Sequence, residues 1–406
     1  MTSDTLTNTA SPAAGLAIVR CADYDSSRVL LSLRTALDGI GGISRWVKPG
    51  HTVLLKPNLL SARAPEEAVT THPAVVEAMA RLCLEAGAGR VWIADSPAGS
   101  HPEPHLWRTT GMAGVAARTG AELKSYGCGI VPIPCRDGFL PVPEWYRQAD
   151  VVISLPKLKT HALTTLTCGM KNVFGLVSGQ AKAMFHANFP SPVTMSSFLA
   201  DVYGALKPHL TVVDAVVAME GDGPASGRPL AVGVLVAGAD AVAVDALCCL
   251  ALGIEPQKVP MIRFAVERGF GSAGWQTACV AGDGLDALRG VRMKPSIARR
   301  LQQIPEPLFR LLTRFTRCRP RIARPLCTRC GICAGICPVK AIPTAPDGRV
   351  GPVLGEKCIL CMCCVESCPM HAVEVGSPLM RLLRFRSWLQ SWFKRKTEAG
   401  GGDGRG

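Results

Sequence analysis

The stretch from residue 150 to residue 175 reads DVVISLPKLKTHALTTLTCGMKNVFG and decides the fold. Its opening six residues are mostly apolar and end at Pro156, a pattern typical of a strand that is buried on both faces of a sheet. Comparable apolar runs occur at Gly15–Arg20, Thr52–Lys56, Arg90–Asp95, Leu210–Ala218 and Leu230–Ala237.

Helix candidates separate these runs. Ser27–Val47 has helical character with a break near Gly39–Gly42, and Pro73–Ala86 begins with Pro and is followed by Gly87. Further candidates lie at Val193–Leu206, Asp240–Leu252 and Val259–Glu267. The alternation predicts an α/β fold with a mainly parallel sheet and helices on both faces. In such folds ligands bind beyond the carboxyl ends of the strands.

Polar side chains gather at those expected strand ends. The candidate catalytic residues are Lys157, Lys159, His161 and Lys171, and the candidate substrate-binding residues are Lys56, Asn58, Asp95, Asn172, Glu220 and Asp222. Lys182 and His186 follow shortly afterwards. The lysines would attract an anionic ligand such as a carboxylate or phosphate, and His161 could move a proton near neutral pH. Two alternatives stay open: the lysines form ion pairs with Asp95, Glu220 and Asp222, or these acidic residues help to hold a metal ion.

A cysteine pattern occurs twice near the C-terminus. The first run is Cys327, Cys330, Cys333 and Cys337, and the second is Cys358, Cys361, Cys364 and Cys368, each spaced C-x₂-C-x₂-C-x₃-C-P. In this spacing three cysteines hold one [4Fe–4S] cluster and the fourth ligates the other cluster. One cluster would therefore use Cys368 with the first three, and the other would use Cys337 with Cys358, Cys361 and Cys364. Zinc fits less well, because a zinc site usually takes its four ligands from two C-x₂₋₄-C pairs, and this arrangement would leave some of these cysteines without a metal.

The two runs resemble bacterial two-cluster ferredoxins over residues 326–376. This resemblance implies two [4Fe–4S] clusters in a small α+β ferredoxin-like domain that transfers electrons. Cys318 and Cys363 lie outside the pattern. Electron transfer also implies a donor or acceptor protein as partner.

The sequence divides into five segments. They are a flexible N-terminus (1–14), the α/β domain (15–287), a basic linker (288–325), the cysteine domain (326–376), and a basic amphipathic helix with a flexible tail (377–406). Residues 1–286 hold 23 basic and 24 acidic side chains, whereas residues 287–406 hold 22 and 7, so the net charges are −1 and +15. The C-terminal part therefore favours an acidic partner or a membrane surface.

Location and further partners follow from the same features. We see neither a signal peptide nor a long apolar run, so we expect a cytoplasmic protein. The helix expected at 377–396 has two interpretations: it lies on the inner membrane surface, or it packs on the cysteine domain or on Phe309–Phe315. No nucleic-acid motif accompanies the basic charge, so we expect no nucleic acid partner.

Several phrases together resemble the domain of unknown function 362 family. They are LLKPNLL, THPAVVEAMARL, VWIADSPAG, the block ISLPKLKTHALTTLTCGMKNVFGLVSGQAKAMFH, GDGPASGRPL and AGADAVAVDAL, within residues 15–285. Members often carry a C-terminal two-cluster ferredoxin module. The resemblance implies that the shared core of the family includes Lys56, Asn58, Asp95, Lys157, Lys159, His161, Lys171 and Asn172.

Three hypotheses for function follow. In the first, the chain is an iron–sulfur oxidoreductase that relays electrons to or from a small anionic substrate in the α/β domain. In the second, it is a non-catalytic electron-transfer subunit that docks a partner enzyme. In the third, it is a non-redox enzyme whose clusters are structural.

Overall fold

The computed structural model describes residues 15–97, 102–178, 181–189, 191–274, 280–296, 319–337, 339–354, 356–358 and 363–376. The chain forms two compact units, Met1–Gln303 and Ile304–Gly406. The N-terminal segment 1–14, most of the expected linker and the expected C-terminal helix lie outside the described residues.

The strands of the first unit are β1 (Leu16–Arg20), β2 (Thr52–Pro57), β3 (Arg90–Ile93), β4 (Glu122–Leu123), β5 (Ile130–Cys135), β6 (Gly138–Pro143), β7 (Val151–Leu155), β8 (Lys157–His161), β9 (Thr165–Thr167), β10 (Leu210–Glu220), β11 (Arg228–Gly238) and β12 (Val280–Gly282). Its helices are α1 (Ser26–Asp38), α2 (Pro73–Glu85), α3 (Glu103–Thr109), α4 (Met112–Thr119), α5 (Glu144–Gln148), α6 (Gly169–Asn172), α7 (Ala181–Asn188), α8 (Pro192–Ala205), α9 (Ala241–Leu252) and α10 (Pro260–Glu267).

The main sheet has the strand order β12-β1-β11-β10-β7-β2-β3-β4. Strands β10, β7, β2, β3 and β4 pair in parallel, while β11 pairs antiparallel with both β10 and β1. The predicted mainly parallel sheet is therefore confirmed. Its parallel strands place the carboxyl ends of β2, β3 and β7 at one edge, where the candidate residues lie.

Apolar side chains cover both faces of the sheet. Along β1, Leu16 and Ile18 belong to one buried cluster, which includes residues of α8 and α9, whereas Ala17 and Val19 belong to another, which includes residues of α1 and α2. This alternation follows from the two-residue period of a strand. Burying both faces explains why the strands read as continuous apolar runs, and it confirms the predicted helices on both sides.

The segment KLKTH differs from expectation. The sequence predicts only that these polar residues follow the strand that ends at Pro156. In the structure they form a strand of their own, β8, which pairs in parallel with β10 and antiparallel with β9. In an extended strand, alternate residues face the same side, so Lys157, Lys159 and His161 share one face. All three side chains are buried.

The second unit is a small α+β domain. Its strands are β13 (Arg319–Ile322) and β14 (Val373–Gly376), and its helices are α11 (Ile332–Gly335) and α12 (Cys363–Glu366). The strands pair antiparallel from Arg319 opposite Gly376 to Ile322 opposite Val373. Residues 319–322, which the sequence places in the basic linker, form β13 and pair with β14 of this unit.

Within the described parts of the chain, no helix has both the length and the apolar character needed to span a bilayer.

Candidate functional site

A buried ion pair joins the ends of β2 and β3. Lys56 is fully buried, and its Nζ donates hydrogen bonds to Asp95 Oδ1 (2.7 Å), Pro57 O (2.8 Å) and Asn172 Oδ1 (3.2 Å). Burial lowers the pKa of Lys56, and the carboxylate of Asp95 partly offsets this effect. The ammonium thus uses its three protons within the protein. Lys56 and Asp95, which we predict to bind substrate, hold the ends of β2 and β3 together.

The end of α6 and the turn that follows it pack around this pair. Asn172 Nδ2 donates to Lys56 O (3.1 Å) and to Ser154 Oγ (2.9 Å), so its amide is also engaged. A Cβ atom on Gly175 would lie 2.2 Å from Asp95 Oδ1 and 2.5 Å from Lys56 Nζ. Only glycine therefore fits at position 175 without displacing the ion pair.

Lys157 belongs to a second buried network. Its Nζ donates to Tyr24 OH (2.7 Å) and Asp214 Oδ2 (2.9 Å), and Tyr24 OH donates to Asp214 Oδ1 (2.8 Å). The ring of Tyr24 stacks on His72, with centroids 3.6 Å apart. Burial lowers the pKa of Lys157, raises that of Tyr24 and lowers that of His72 to about 4. Sequence reasoning missed Tyr24 and His72, because no local pattern marks residues so distant along the chain.

Five basic side chains form a third group, which we call the basic cluster: Lys159, His161, Lys171, Lys182 and His186. Lys159 Nζ donates to Val69 O (2.8 Å), and Lys182 Nζ donates to Ser96 O. His161 Nδ1 accepts hydrogen bonds from the backbone of Leu163 (3.0 Å) and Thr164 (3.2 Å). Neutral His161 therefore carries its proton on Nε2.

The members of the basic cluster act on one another electrostatically. The pKa of His161 lies well below its ordinary value, first because it is buried and then because Lys171, His186 and Lys159 are near. Burial, with Lys171 and Lys182, lowers the pKa of His186 to about 3. Both imidazoles are therefore neutral hydrogen-bond donors at neutral pH, and a bound anion would raise both pKa values.

Buried polar groups adjoin the basic cluster. Thr70, Ser96 and Thr167 are 0%, 3% and 4% exposed, and their hydroxyls have no hydrogen-bond partner among the described residues. Thr167 lies opposite Lys159 in the β8–β9 pair, and Thr70 follows the residue that accepts from Lys159. Asn58 Oδ1 is also buried and has no partner in the part of the chain that the structure describes. Such groups usually have a partner, so they favour a polar ligand at this position.

The acidic pair at the end of β10 has structural partners. Glu220 Oε1 accepts from Arg228 Nε (2.7 Å), and Glu220 Oε2 accepts from the backbone N–H of Lys294 (2.6 Å). Ser296 Oγ donates to Asp222 Oδ1 (3.4 Å). Glu220 thus ties the turn between β10 and β11 to the segment near residue 294.

In the second unit, one cavity is lined by Cys327, Cys330, Cys333 and Cys368. Three of these thiols come from the first run and one from the second. Most of the remaining wall is apolar, and Thr328 and Gly331 complete it; the apolar residues are Ile322, Ile332, Val350, Pro369, Met370, Ala372 and Val373. The pKa of Cys333 is raised to about 11 by burial and then by Cys368, Cys330 and Cys327. These four thiols along one mostly apolar wall are the ligand set that the spacing assigns to one [4Fe–4S] cluster. Among the described residues, no three such side chains lie close enough together to hold a metal ion as they stand.

The other predicted ligand set is described in part. Cys337 Sγ accepts from Ala341 N (3.1 Å), as Cys368 Sγ accepts from Ala372 N (3.2 Å). Cys358 and Cys364 are also described, whereas Cys361 and Cys318 lie outside the described residues. Cys363, which is outside the repeated spacing, is buried at the start of α12.

Comparisons with known proteins agree with these features. Residues 53–250 match the model of a domain of unknown function (DUF362), and residues 319–369 match that of a 4Fe-4S dicluster domain. The chain is 37% identical over 257 residues to the thylakoid-associated protein sll1697 of Synechocystis sp., an alignment that covers 60% of this chain and 76% of that protein.

Two solved structures are similar at low identity. The lactate racemase apoprotein from Thermoanaerobacterium thermosaccharolyticum aligns with a TM-score of 0.40 and 10% identity over 58% of this chain and 57% of that one. A protein from Thermotoga maritima aligns with a TM-score of 0.34 and 11% identity over 57% and 60%. The chain thus spans less than two thirds of either solved chain. On the sequence matches, the chain belongs to the domain of unknown function 362 family and carries a 4Fe–4S ferredoxin-type domain.

Proposed function

We propose that this protein is an iron–sulfur oxidoreductase that holds two [4Fe–4S] clusters and relays electrons to or from a small anionic substrate in its α/β unit. The observation that carries the proposal is the cavity lined by Cys327, Cys330, Cys333 and Cys368. This is the set that the spacing of the two cysteine runs predicts for one cubane cluster.

The cysteines divide between two clusters. The four cavity thiols hold one, and Cys337, Cys358, Cys361 and Cys364 hold the other. When bound, each cluster takes up and returns one electron. The backbone N–H groups of Ala341 and Ala372 donate to the sulfurs of Cys337 and Cys368, and such donors tune the reduction potential.

The basic cluster is the proposed substrate site. Lys159, Lys171 and Lys182 supply positive charge, which favours a carboxylate, phosphate or similar oxyanion. The buried hydroxyls of Thr70, Ser96 and Thr167 are hydrogen-bond donors beside it. His161 and His186 then exchange protons with the substrate, because a bound anion would raise their depressed pKa values toward neutrality.

The two buried ion-pair networks position this site. The Lys56–Asp95 pair fixes Asn172, which directly follows Lys171, and the Lys157–Asp214 pair fixes the start of β8. In this proposal Lys56 and Lys157 act through the residues that they hold, while Lys159, Lys171 and His161 contact the substrate.

Reoxidation of the reduced protein tests the proposal. Full-length protein is loaded with clusters anaerobically, reduced with dithionite and freed of excess reductant, and a panel of small oxyanions is added while the EPR signal is followed. We expect one class of anion to reoxidise the clusters, and Lys171→Gln to slow this reaction. Lys258→Gln is the matched control, since Lys258 lies in an exposed ion pair. Clusters that no anion reoxidises would contradict the proposal.

We also propose peripheral contact with a membrane surface through the basic sequence 377–396. Its charge and aromatic content support this, and the name of the Synechocystis relative associates that protein with thylakoids. Sedimentation with anionic vesicles tests it: the full chain should pellet, and a chain that ends at Gly376 should not. Equal sedimentation of both would contradict it.

A further inference from the structure

We propose that the mouth of the cysteine cavity is the docking surface for an acidic one-electron carrier protein. This inference rests on the proposed function, because it gives the route by which electrons enter or leave the cluster held by Cys327, Cys330, Cys333 and Cys368. One electron passes between the carrier and this cluster, so one partner is oxidised as the other is reduced, and no bond is formed or broken.

Exposure of the cavity wall is the first observation. Cys333 and Cys368 are 7% exposed each, whereas Cys330 is exposed to solvent. Met370, which lines the same cavity, is 45% exposed, and Leu326, next to Cys327, is 49% exposed. The cluster would thus lie close to solvent beside two exposed apolar side chains. Small electron-transfer interfaces need only such a limited apolar centre.

Charge is the second observation. Arg324 and Arg329 are exposed and lie on either side of Cys327 in the sequence, and Arg329 directly precedes Cys330. Arg349, also exposed, precedes the cavity residue Val350, but its guanidinium forms an ion pair with Asp347. The guanidinium groups of Arg324 and Arg329, which we call the basic rim, would complement carboxylates on a partner and accelerate encounter.

The same charge argues against other occupants. Residues 287–406 carry a net charge of +15, so a second copy of this part of the chain would be repelled from the rim. The basic sequence 377–396 would be repelled for the same reason. A carrier with negative charge around its redox centre is the occupant that the rim favours.

Binding and electron transfer to two probes of opposite charge test the inference. The full-length, cluster-loaded protein is mixed with an acidic flavodoxin or with a basic cytochrome c. Calorimetry with both partners oxidised gives the dissociation constant without electron flow, and stopped-flow mixing gives the transfer rate at increasing salt. We expect the flavodoxin to bind more tightly and its rate to fall steeply with salt.

Charge reversal supplies the variants. Arg324→Glu with Arg329→Glu should weaken flavodoxin binding and slow transfer by about tenfold or more. The matched control is Arg263→Glu with Arg289→Glu, at two exposed positions of the other unit. It should change the dissociation constant and the transfer rate by less than about twofold. Leu326→Ser with Met370→Ser should weaken binding without altering its salt dependence.

Two outcomes would overturn the inference: equal effects of the rim and control reversals, or tighter binding of the basic cytochrome. Dithionite reduction followed by EPR checks that each variant retains its clusters. If they are retained and anions still reoxidise the protein, the docking inference alone has failed. If no anion of the panel reoxidises the unmodified protein, the proposed function has failed instead.

Discussion

Replacing Asp95 by Asn isolates the contribution of the ion pair under the basic cluster. The side chains of Lys56 and Asp95 are 0% and 2% exposed, and their charged atoms are 2.7 Å apart. In the variant, the buried ammonium keeps Pro57 O and Asn172 Oδ1 as acceptors but loses its counter-charge. The Asn amide can also satisfy Lys56 or the backbone N–H of Leu59, but not both as the carboxylate does.

The expected loss is large because a buried charge remains without its counter-charge. Removing one partner of such a pair costs about 3–5 kcal/mol of unfolding free energy. Since burial lowers the folded-state pKa of Lys56, the unfolded state binds more protons in the window from that pKa to 10.5. The stability of the variant should therefore rise as the pH climbs through this window, where folded Lys56 becomes neutral.

Urea unfolding followed by circular dichroism measures the effect, with Asp286→Asn as the matched control. Asp286 pairs with Arg289 at 2.9 Å, but their side chains are 64% and 82% exposed, so the control should lose at most about 1 kcal/mol. A double-mutant cycle with Lys56→Met should show coupling between the two positions. Equal losses in Asp95→Asn and Asp286→Asn would refute the assigned role of the buried pair.

Three further predictions address the site and the clusters. Gly175→Ala should cost about 1–3 kcal/mol in urea unfolding, because its Cβ would lie 2.2 Å from Asp95 Oδ1; unchanged stability would contradict the close approach. The folded-state pKa of His186 is about 3, so protonation of His186 in the unfolded state should lower the free energy of unfolding by roughly 2 kcal/mol between pH 7 and pH 5. His186→Gln should remove this dependence in unfolding curves measured at both pH values, and an unchanged dependence would contradict the prediction. Cys330→Ser should lower the iron content by about half while Cys128→Ser should not, as measured by iron analysis, and equal iron in both variants would exclude Cys330 as a ligand.

Much of the fold could be predicted because its strands are buried on both faces. Val151–Leu155 and Thr52–Pro57 read as apolar runs since helices cover each side of the sheet. The cysteine spacing was equally informative, because a cubane cluster constrains how its ligands are spaced. The thiols of Cys327 and Cys368, far apart in the sequence, accordingly line one cavity.

Long-range partners explain what could not be predicted. The polar alternation of KLKTH did not indicate a strand, because lysines are rarely buried without specific partners. Those partners are Asp214, 57 residues from Lys157, and Val69, 90 residues from Lys159. Tyr24, which hydrogen-bonds Asp214 across 190 residues, likewise has no local signal. Sequence reasoning thus named candidate site residues but did not show which of them are held in ion pairs.

Iron and sulfide analysis of anaerobically purified full-length protein, with EPR after dithionite reduction, tests the central claim most directly. Two clusters predict about eight irons and eight sulfides per chain, and a spectrum of two interacting centres. Zinc in place of iron, or at most about four irons after careful anaerobic reconstitution, would contradict the two-cluster relay.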